Sequence, residues 1–287
     1  MENNRKCPIC GSTQAHLKFK LEYEVYECGD CTFQFCPDAS FNKSFESEFD
    51  ERTRLKALQT LRMQNFRTII NSIKRHSKLL LRGLEVGSGH GWFLDACKLN
   101  QIECEGIEPE TCFNDVYKQN GHKVTNGFFP EAITTEDKYG FIAYNDVFEH
   151  LPDINTSMRV NSEYLTVEGL LVINLPVQEG LTYSIAKLAY FFGIKSMLNR
   201  MWQFHFHSPH LSYFSKPNLI ALAKKYHFES LDSFPLKTIN LSEVKDRVGE
   251  DTSTNVITKF ISILGVYVLY PFMHRFPDTI CFVFRKG

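Results

Sequence analysis

The segment GLEVGSGHGWFLDAC, residues 83–97, places four glycines within nine positions between an apolar run and an amphipathic stretch. The apolar run predicts a buried strand over 79–86, and the residues after the glycines predict a helix. Gly87 and Gly89 occupy the turn between these two elements, shortly after the acidic residue Glu85. Glycines at such a turn let the backbone approach a ligand closely. The segment therefore predicts a ligand site at the carboxyl end of a buried strand.

The next unit of the chain repeats the order of strand and helix. Residues 102–110, IECEGIEPE, predict a second strand that ends near Glu108, and a helical pattern follows it. Strands that alternate with helices indicate an α/β fold with a parallel, doubly wound sheet. The glycine loop lacks the G-x-G-x-x-G spacing of a pyrophosphate site, whereas Glu108 stands where a ribose-binding acid is expected. The predicted ligand carries a ribose without phosphates, which argues against a nicotinamide-dependent dehydrogenase.

Two cysteine pairs near the N-terminus have the spacing of a metal site. Cys7 and Cys10 form one C-x2-C pair, and Cys28 and Cys31 form a second one after a gap of seventeen residues. Each pair can supply two thiolates to a tetrahedral zinc ion, and four protein ligands leave no open position for chemistry. The pattern predicts a small zinc ribbon over 1–45 in which the metal is structural.

Charge is distributed unevenly along a chain whose formal net charge is only −1. Residues 50–78 contain eight Lys or Arg against two Asp or Glu, and their apolar residues recur at helical spacing. We expect an amphipathic helical connector over 46–78 whose basic face is either solvated or directed at an anionic acceptor. Residues 1–49 hold five basic and eight acidic side chains. This acidic ribbon and the near-neutral total argue against a nucleic-acid partner.

Neither an export signal nor a membrane span is expected. The first residues, MENNRKCPIC, contain no apolar signal core. The longest apolar run, FISILGVYVLYPFM at 260–273, is shorter than the roughly 20 residues of a transmembrane helix. We therefore expect a cytoplasmic protein without a transmembrane segment.

Three successive motifs resemble those of class I S-adenosylmethionine-dependent methyltransferases: LEVGSGHGWFL (84–94), GIEPE (106–110) and YNDVFEHLPD (144–153). The similarity is to the ubiquinone-pathway-like, methyltransferase-23-type group, and it covers about residues 79–287. The resemblance implies a Rossmann-like, seven-stranded doubly wound sheet with S-adenosylmethionine as the cofactor. The apolar and basic segment over about 177–205 resembles a helical lid inserted where such enzymes bind the acceptor.

The resemblance also implies roles for six cofactor-binding residues: Glu85, Gly87, Gly89, Glu108, Phe128 and Asp146. Glu85 and Asp146 would lie at the methionine end of the cofactor, and the two glycines would pass beneath the sulfonium and the ribose. Glu108 would accept hydrogen bonds from both ribose hydroxyls, as a carboxylate can. Phe128 would lie beside the adenine.

Candidate catalytic residues come from two histidine-bearing stretches. In DVFEH, Glu149 and His150 have three open interpretations: they hold the loop, His150 serves as a general base, or both residues bind a divalent metal at the acceptor site together with a later histidine. The last interpretation rests on a resemblance to the E-x-x-E-H motif of metal-dependent methyltransferases. The later stretch QFHFHSPH supplies His205, His207 and His210. His205 and His207 share one face of an extended segment, and His207 is the third catalytic candidate.

The expected reaction is methyl transfer to the oxygen of a small-molecule or sugar acceptor, and resemblance favours nucleotide-linked or lipid-linked glycan precursors. A lipid-linked substrate would bring the protein into peripheral contact with a membrane. One alternative is an RNA methyltransferase that grips its substrate with the ribbon. Another is a cofactor-binding interaction module without catalytic activity.

Overall fold

A computed structural model describes residues 5–40, 51–77, 82–133, 135–204, 206–239, 267 and 269–287, with side chains omitted for 51–57. Several predicted features lie outside the described residues. They are the predicted boundary between the ribbon and the connector at 45/46, the end of the connector at 78/79, the first residues of the strand over 79–86, His205, and most of the apolar run 260–273.

The described residues form the following strands: β1 (Ala15–Lys20), β2 (Glu24–Cys28), β3 (Gln34–Phe35), β4 (Arg82–Val86), β5 (Glu103–Glu108), β6 (Val124–Asn126), β7 (Tyr139–Asn145), β8 (Leu165–Pro176), β9 (Ser212–Tyr213), β10 (Phe228–Leu236) and β11 (Thr279–Lys286). The helices are α1 (Glu51–His76), α2 (Trp92–Leu99), α3 (Asn114–Asn120), α4 (Ile154–Tyr164), α5 (Leu181–Phe191), α6 (Ser196–Met201) and α7 (Lys216–Lys225). Short 3₁₀ turns cover Thr111–Phe113 and Phe148–His150.

Seven strands form the central sheet in the order β10-β11-β8-β7-β4-β5-β6. From β8 to β6 all neighbouring strands are parallel, whereas β11 runs antiparallel to both β8 and β10. The order reverses at β4, the strand before the glycine loop, because β5 and β7 flank it on opposite sides. The predicted seven-stranded α/β sheet is confirmed, and the glycine loop lies at its topological switch point, where such sheets bind ligands.

Helices cover both faces of the central sheet, and alternation along β7 shows how the core divides. Phe141 and Ala143 face the core that contains α1 and α2, while Ile142 and Tyr144 face the core that contains α4 and α7. The predicted connector is helical from Glu51 to His76, and its Phe66, Ile69, Ile70 and Ile73 are buried against the sheet. Burying this apolar stripe fixes α1 on the body of the protein.

The N-terminal ribbon is joined to the later part of the chain through a second sheet. Its four strands have the order β1-β2-β3-β9, so the last strand comes from residues far along the sequence. Beside this sheet, Phe19 and Val25 of the ribbon share a buried cluster with Tyr183 of α5 and Trp202 after α6. The helices α5 and α6 occur within the segment predicted to be a lid, and its role in acceptor binding stays a prediction.

Within the part of the chain that the structure describes, no helix combines the length and the apolar character required to cross a membrane.

Candidate functional site

The glycine loop after β4 forms a cradle with one packed side and one open side. Gly87 and Gly89 have φ angles of 76° and 48°, a region that side chains other than glycine rarely adopt. A Cβ atom on Gly87 would lie 2.5 Å from Cγ2 of Val147, whereas a Cβ on Gly89 would meet no atom within 4 Å. Tyr117 donates a hydrogen bond to the carbonyl of Gly89. The backbone at Gly89 is therefore held in place, and the space beside it has room for a ligand.

Glu108 ends β5 directly beside this cradle. One carboxylate oxygen accepts a hydrogen bond from the backbone N–H of Gly89 at 2.7 Å, and the other accepts one from Glu110 at 3.0 Å. Burial raises the pKa of this carboxyl, although both backbone donors oppose the shift. Each carboxylate oxygen has a second lone pair, so Glu108 fits a vicinal diol such as a ribose.

Glu85 lies in the interior at the other end of the cradle and is only 2% exposed. Asn145 donates a hydrogen bond to its Oε1 at 2.8 Å, and Asn174 in turn donates to Asn145 at 2.6 Å. Its Oε2 is buried and has no hydrogen-bond partner among the described residues. Burial raises the pKa of Glu85 to about 8 despite the bond from Asn145. An ammonium group placed at Oε2 would ionise this carboxyl, and the methionine end of S-adenosylmethionine carries one.

Two further predicted cofactor residues border the cradle. Phe128 is 53% exposed and follows Gly127, whose N–H donates to the carbonyl of Glu108 at 3.1 Å. Asp146 follows β7 in a left-handed conformation with φ of 53°, and its carboxylate forms an ion pair with Arg62 of α1. Both residues thus stand at the carboxyl edge of the sheet, as the motifs predicted, and their contacts with a cofactor stay a prediction.

Arg62 is a candidate site residue that the sequence did not single out. Burial lowers the pKa of its guanidinium, and the nearby carboxyl of Glu149 opposes that shift. Arg62 thus faces both Asp146, which precedes the 3₁₀ turn after β7, and Glu149, which lies within that turn. The basic face of the connector helix was the available signal, since one interpretation directed it at an anionic acceptor. Its pattern does not distinguish Arg62 from the other basic residues of α1.

A second cluster combines Glu149 and His150 of this turn with His210. One ligand atom from each residue lies within 4.8 Å of the others. Glu149 is 1% exposed, and neither of its carboxylate oxygens has a hydrogen-bond partner among the described residues. His150 Nδ1 lies 2.8 Å from the carbonyl oxygen of Pro209, which must accept, so this nitrogen carries the proton. The lone pair of His150 is therefore on Nε2.

Burial controls the protonation of the cluster. It raises the pKa of Glu149 to about 8, with Arg62 opposing the shift, and it lowers the pKa of His150 to about 4. His210 is also shifted to a low pKa by burial and by neighbouring His150. At neutral pH both imidazoles are therefore neutral, and each keeps a lone pair that can bind a cation. A cation beside Glu149 would ionise its carboxyl.

The two later histidines that the structure describes have different surroundings. His210 is held in the cluster because its N–H donates to the carbonyl of Trp202 and the following N–H, from Leu211, donates to the carbonyl of Glu149. His207, the predicted catalytic residue, has its Nδ1 3.1 Å from Oε1 of Glu110, on the side of Glu108. The later histidine that meets Glu149 is thus His210. The sequence HFHSPH offered the right segment without deciding which histidine faces inward.

The four predicted zinc ligands meet in the ribbon. The sulfur atoms of Cys7 and Cys31 are 3.6 Å apart, those of Cys10 and Cys28 are 3.5 Å apart, and all four lie within 4.8 Å of one another. A tetrahedral ion with zinc–sulfur bonds of about 2.3 Å separates its ligands by about 3.8 Å. The cluster is compatible with one zinc ion, and four thiols exhaust its coordination sphere.

The fold and the family match together define the class of the protein. It is a class I S-adenosylmethionine-dependent methyltransferase. A family model described as a methyltransferase domain, Methyltransf_23, matches residues 49–233. The chain belongs to this methyltransferase family. No curated protein matches its sequence.

Solved structures of methyltransferase-like proteins share the fold at low sequence identity. A methyltransferase from Thermotoga maritima, described as a possible histamine N-methyltransferase, is 15% identical with a TM-score of 0.54, over 83% of this chain and 95% of its own. Geranyl diphosphate C-methyltransferase from Streptomyces coelicolor is 14% identical with a TM-score of 0.52, over 85% and 86%. The cyclopropane synthase MmaA2 from Mycobacterium tuberculosis is 12% identical with a TM-score of 0.52, over 76% and 83%. Because the activities named for these proteins differ, the fold does not select an acceptor.

Proposed function

We propose that the protein transfers the methyl group of S-adenosylmethionine to a hydroxyl oxygen of a small-molecule or sugar acceptor, with glycan precursors as the leading class. The observation that carries the proposal is the buried Glu149, whose two carboxylate oxygens have no hydrogen-bond partner among the described residues, beside the half-buried His150 in the 3₁₀ turn that follows the cofactor edge. An oxygen nucleophile must lose a proton during methyl transfer, so it gains from such a group.

S-adenosylmethionine supplies a methyl group on a positively charged sulfur, and the acceptor oxygen displaces that sulfur in line. The new O–C bond forms as the S–C bond breaks, and the hydroxyl proton moves to His150 Nε2. The hydrogen bond from Nδ1–H of His150 to Pro209 fixes the ring so that Nε2 faces away from that carbonyl. The remaining task of the protein is to align the acceptor and exclude water.

The same cluster fits a divalent cation, the alternative that the DVFEH motif left open. Glu149 offers a carboxylate, and His150 and His210 offer neutral imidazoles within 4.8 Å of it. The two unpartnered oxygens of Glu149 are the observation that favours this alternative. A bound cation would lower the pKa of an acceptor hydroxyl and hold it in place.

The chemistry of the surrounding segments supports an anionic acceptor. No Asp or Glu occurs between residues 181 and 228, which include α5, α6 and the histidine segment. Lys187 of α5 is partly buried beneath this region and lies over the ring of Tyr183, and Arg62 approaches the cluster from α1. Cationic side chains near the cluster suit a phosphate-bearing acceptor, such as a nucleotide-linked or lipid-linked sugar. The expected cytoplasmic location belongs to the same proposal.

A structural zinc ion in the ribbon completes the proposal. It would be held by Cys7, Cys10, Cys28 and Cys31, and it would stabilise the sheet that continues into β9. Because β9 directly follows His210 and Leu211, the ribbon helps to place the catalytic cluster.

The test is methyl transfer from labelled S-adenosylmethionine to four fractions of a cell extract: anionic small molecules, lipids, RNA and protein. Label in the first or second fraction is the expected result, and Glu149→Gln should abolish it. Label in RNA alone would replace the proposal with RNA methylation through the ribbon. Bound cofactor without label in any fraction would favour the non-catalytic module.

A short EDTA treatment, with ribbon zinc measured afterwards, tests whether the cluster of Glu149, His150 and His210 binds a divalent cation. Activity that is lost on treatment and restored by Mg²⁺ or Mn²⁺ would assign a cation to this cluster.

A further inference from the structure

An exposed apolar turn projects from the end of α5. Leu188, Phe191, Phe192 and Ile194 are 60%, 83%, 72% and 51% exposed. These large side chains lie within seven consecutive residues, and the rings of Phe191 and Phe192 contact each other edge to face. Single exposed apolar residues are ordinary on protein surfaces, but a contiguous group indicates an interaction site. We name the residues 188–195 the apolar tip.

The apolar tip is ordered rather than a fraying helix end. The N–H groups of Phe192, Gly193 and Ile194 donate to carbonyls of the last turn of α5, and Gly193 adopts a left-handed φ of 86°. Such a turn is a regular helix terminus. The phenylalanine side chains are therefore presented by fixed backbone, which reduces the entropic cost of binding.

The ribbon braces the base of the apolar tip. Tyr190 packs edge to face against Phe19 and accepts a hydrogen bond from the backbone N–H of Lys20 at 2.9 Å. Asn199 of α6 accepts a hydrogen bond from Glu22 at 3.2 Å. These contacts leave α5 with its inner face in the core and its tip in solvent.

Charge around the apolar tip identifies the kind of partner. Lys195 at the end of the apolar tip and Arg200 of α6 are exposed, and residues 181–228 include no Asp or Glu. Glu22 of the ribbon approaches α6 at Asn199. Aromatic side chains with a basic rim suit the interface of an anionic membrane, where rings enter the headgroup layer and lysines meet phosphates.

We propose that the apolar tip is a peripheral membrane-binding element that takes the interface of an anionic lipid bilayer as its ligand. The tip enters the acyl boundary through Phe191 and Phe192, while Lys195 and Arg200 contact lipid phosphates. The proposal does not depend on which acceptor is methylated, because it concerns binding of the protein and not the reaction.

The test is co-sedimentation of the full-length protein with vesicles of pure phosphatidylcholine or of phosphatidylcholine with 30% phosphatidylglycerol. Wild-type protein should bind the anionic vesicles, with binding reduced at high salt. The double variant Phe191→Ser/Phe192→Ser should bind at least about tenfold more weakly, since binding scales with buried apolar area. Lys195→Glu/Arg200→Glu should lose the preference for anionic vesicles. The matched control is Leu99→Ser, at a site that is 76% exposed at the end of α2.

Thermal unfolding and S-adenosylmethionine binding of each variant show that the fold survives. Wild-type protein that does not bind anionic vesicles would overturn the proposal. An equal loss of vesicle binding in Phe191→Ser/Phe192→Ser and in Leu99→Ser would also overturn it. A wild-type dimer that the double variant converts to monomer, without vesicle binding, would assign the tip to self-association instead.

Discussion

The two halves of the site are built in different ways. At the cofactor edge, Gly87 and Gly89 follow β4 and Glu108 ends the adjacent strand β5, and the backbone of the loop itself satisfies the carboxylate. At the acceptor side, Glu149 and His210 come from segments about sixty residues apart. There the oxygens of Glu149 have no hydrogen-bond partner in the described chain. The first half is preorganised locally, whereas the second depends on distant packing and is completed only when a ligand binds.

This difference predicts that substitutions far from the site can impair methyl transfer without impairing cofactor binding. The ribbon touches the acceptor side through β9 and the helices α5 and α6, and its Cys28 and Phe33 also pack in the core on one face of the central sheet. No described ribbon residue is among the nearest neighbours of Gly87 and Gly89. Loss of the ribbon should therefore impair methyl transfer while cofactor binding persists. The predictions below test this separation and the assignments within each half.

The largest effect is expected from Cys28→Ser, which removes a buried zinc ligand candidate. Zinc bound per chain should fall from one to none, and methyl transfer should fall by more than about 100-fold, because misplacement of acceptor-side groups by about 1 Å has that effect. Cofactor affinity by calorimetry should change less than about threefold by comparison. The control is Cys112→Ser, at an exposed cysteine outside the cluster. Full zinc content in Cys28→Ser would contradict the ligand assignment.

Next in size is His150→Ala, which removes the neutral imidazole from the acceptor side. Turnover should fall by about 100-fold or more, the usual contribution of a general base, while S-adenosylmethionine binds normally. His207→Ala is the comparison variant, because His207 lies beside Glu110 and not in the cluster. A larger loss in His207→Ala than in His150→Ala would reverse the assignment made from the structure.

At the cofactor edge, Glu108→Ala should weaken S-adenosylmethionine binding by about 1–3 kcal/mol, since hydrogen bonds to a carboxylate are lost. Calorimetry of the purified protein measures this as roughly a 5- to 150-fold rise in Kd. Glu103→Ala is a matched control on the same strand, with its carboxylate largely in solvent. Unchanged affinity in Glu108→Ala would remove the ribose assignment.

Within the glycine loop, two substitutions sharpen the distinction between packing and binding. Gly87→Ala would place its Cβ 2.5 Å from Val147 and should lower the free energy of unfolding by about 1–3 kcal/mol. Gly89→Ala meets no atom and should mainly reduce cofactor affinity by filling the cradle, with about 1 kcal/mol of backbone strain. Thermal unfolding and calorimetry on both variants measure this. Equal effects of the two substitutions on both quantities would show that the loop is not a cradle.

The smallest effect concerns the pH dependence of stability. The pKa of Glu85 is about 8 in the folded chain, whereas its ordinary value is 4.5. Between pH 4.5 and pH 8 the folded chain therefore keeps a proton on Glu85 that the unfolded chain has lost. The contribution of Glu85 to stability therefore falls as pH rises from 4.5 to 8. Without cofactor, the Tm of Glu85→Gln should rise relative to the Tm of wild type as the pH increases from 4.5 to 8. Each kcal/mol of relative stability corresponds to roughly 2–4 °C in Tm. Glu103→Gln serves as the exposed control, and a constant difference in Tm across pH would contradict the prediction.

Sequence patterns predicted the cofactor edge because its parts are close together along the chain. A buried strand, a glycine turn and a helix occupy one short segment, and parallel pairing then brings the end of the next strand beside it. The cysteine pairs were equally predictable, since each C-x2-C unit is a local turn. In both cases the spacing of the residues along the chain is enough to predict which side chains lie close together.

The acceptor side was predicted only in part. Glu149 and His150 stood out because they are adjacent in a motif, but the choice of His210 over His207 depends on the backbone bonds that fix the segment against Trp202 and Glu149. Arg62 was one basic residue among several on α1, and its place beside Asp146 follows from how that helix packs on the sheet.

By itself, then, the sequence determined a seven-stranded α/β methyltransferase sheet, the residues of its glycine cradle, and four cysteines able to meet at one point. These depend on local turns and on periodic burial, which short stretches encode. The tertiary structure alone decided that the ribbon and the end of the histidine segment share one sheet, that His210 faces Glu149, and that Phe191 and Phe192 project into solvent. Those features depend on contacts between distant segments, which residue spacing does not encode.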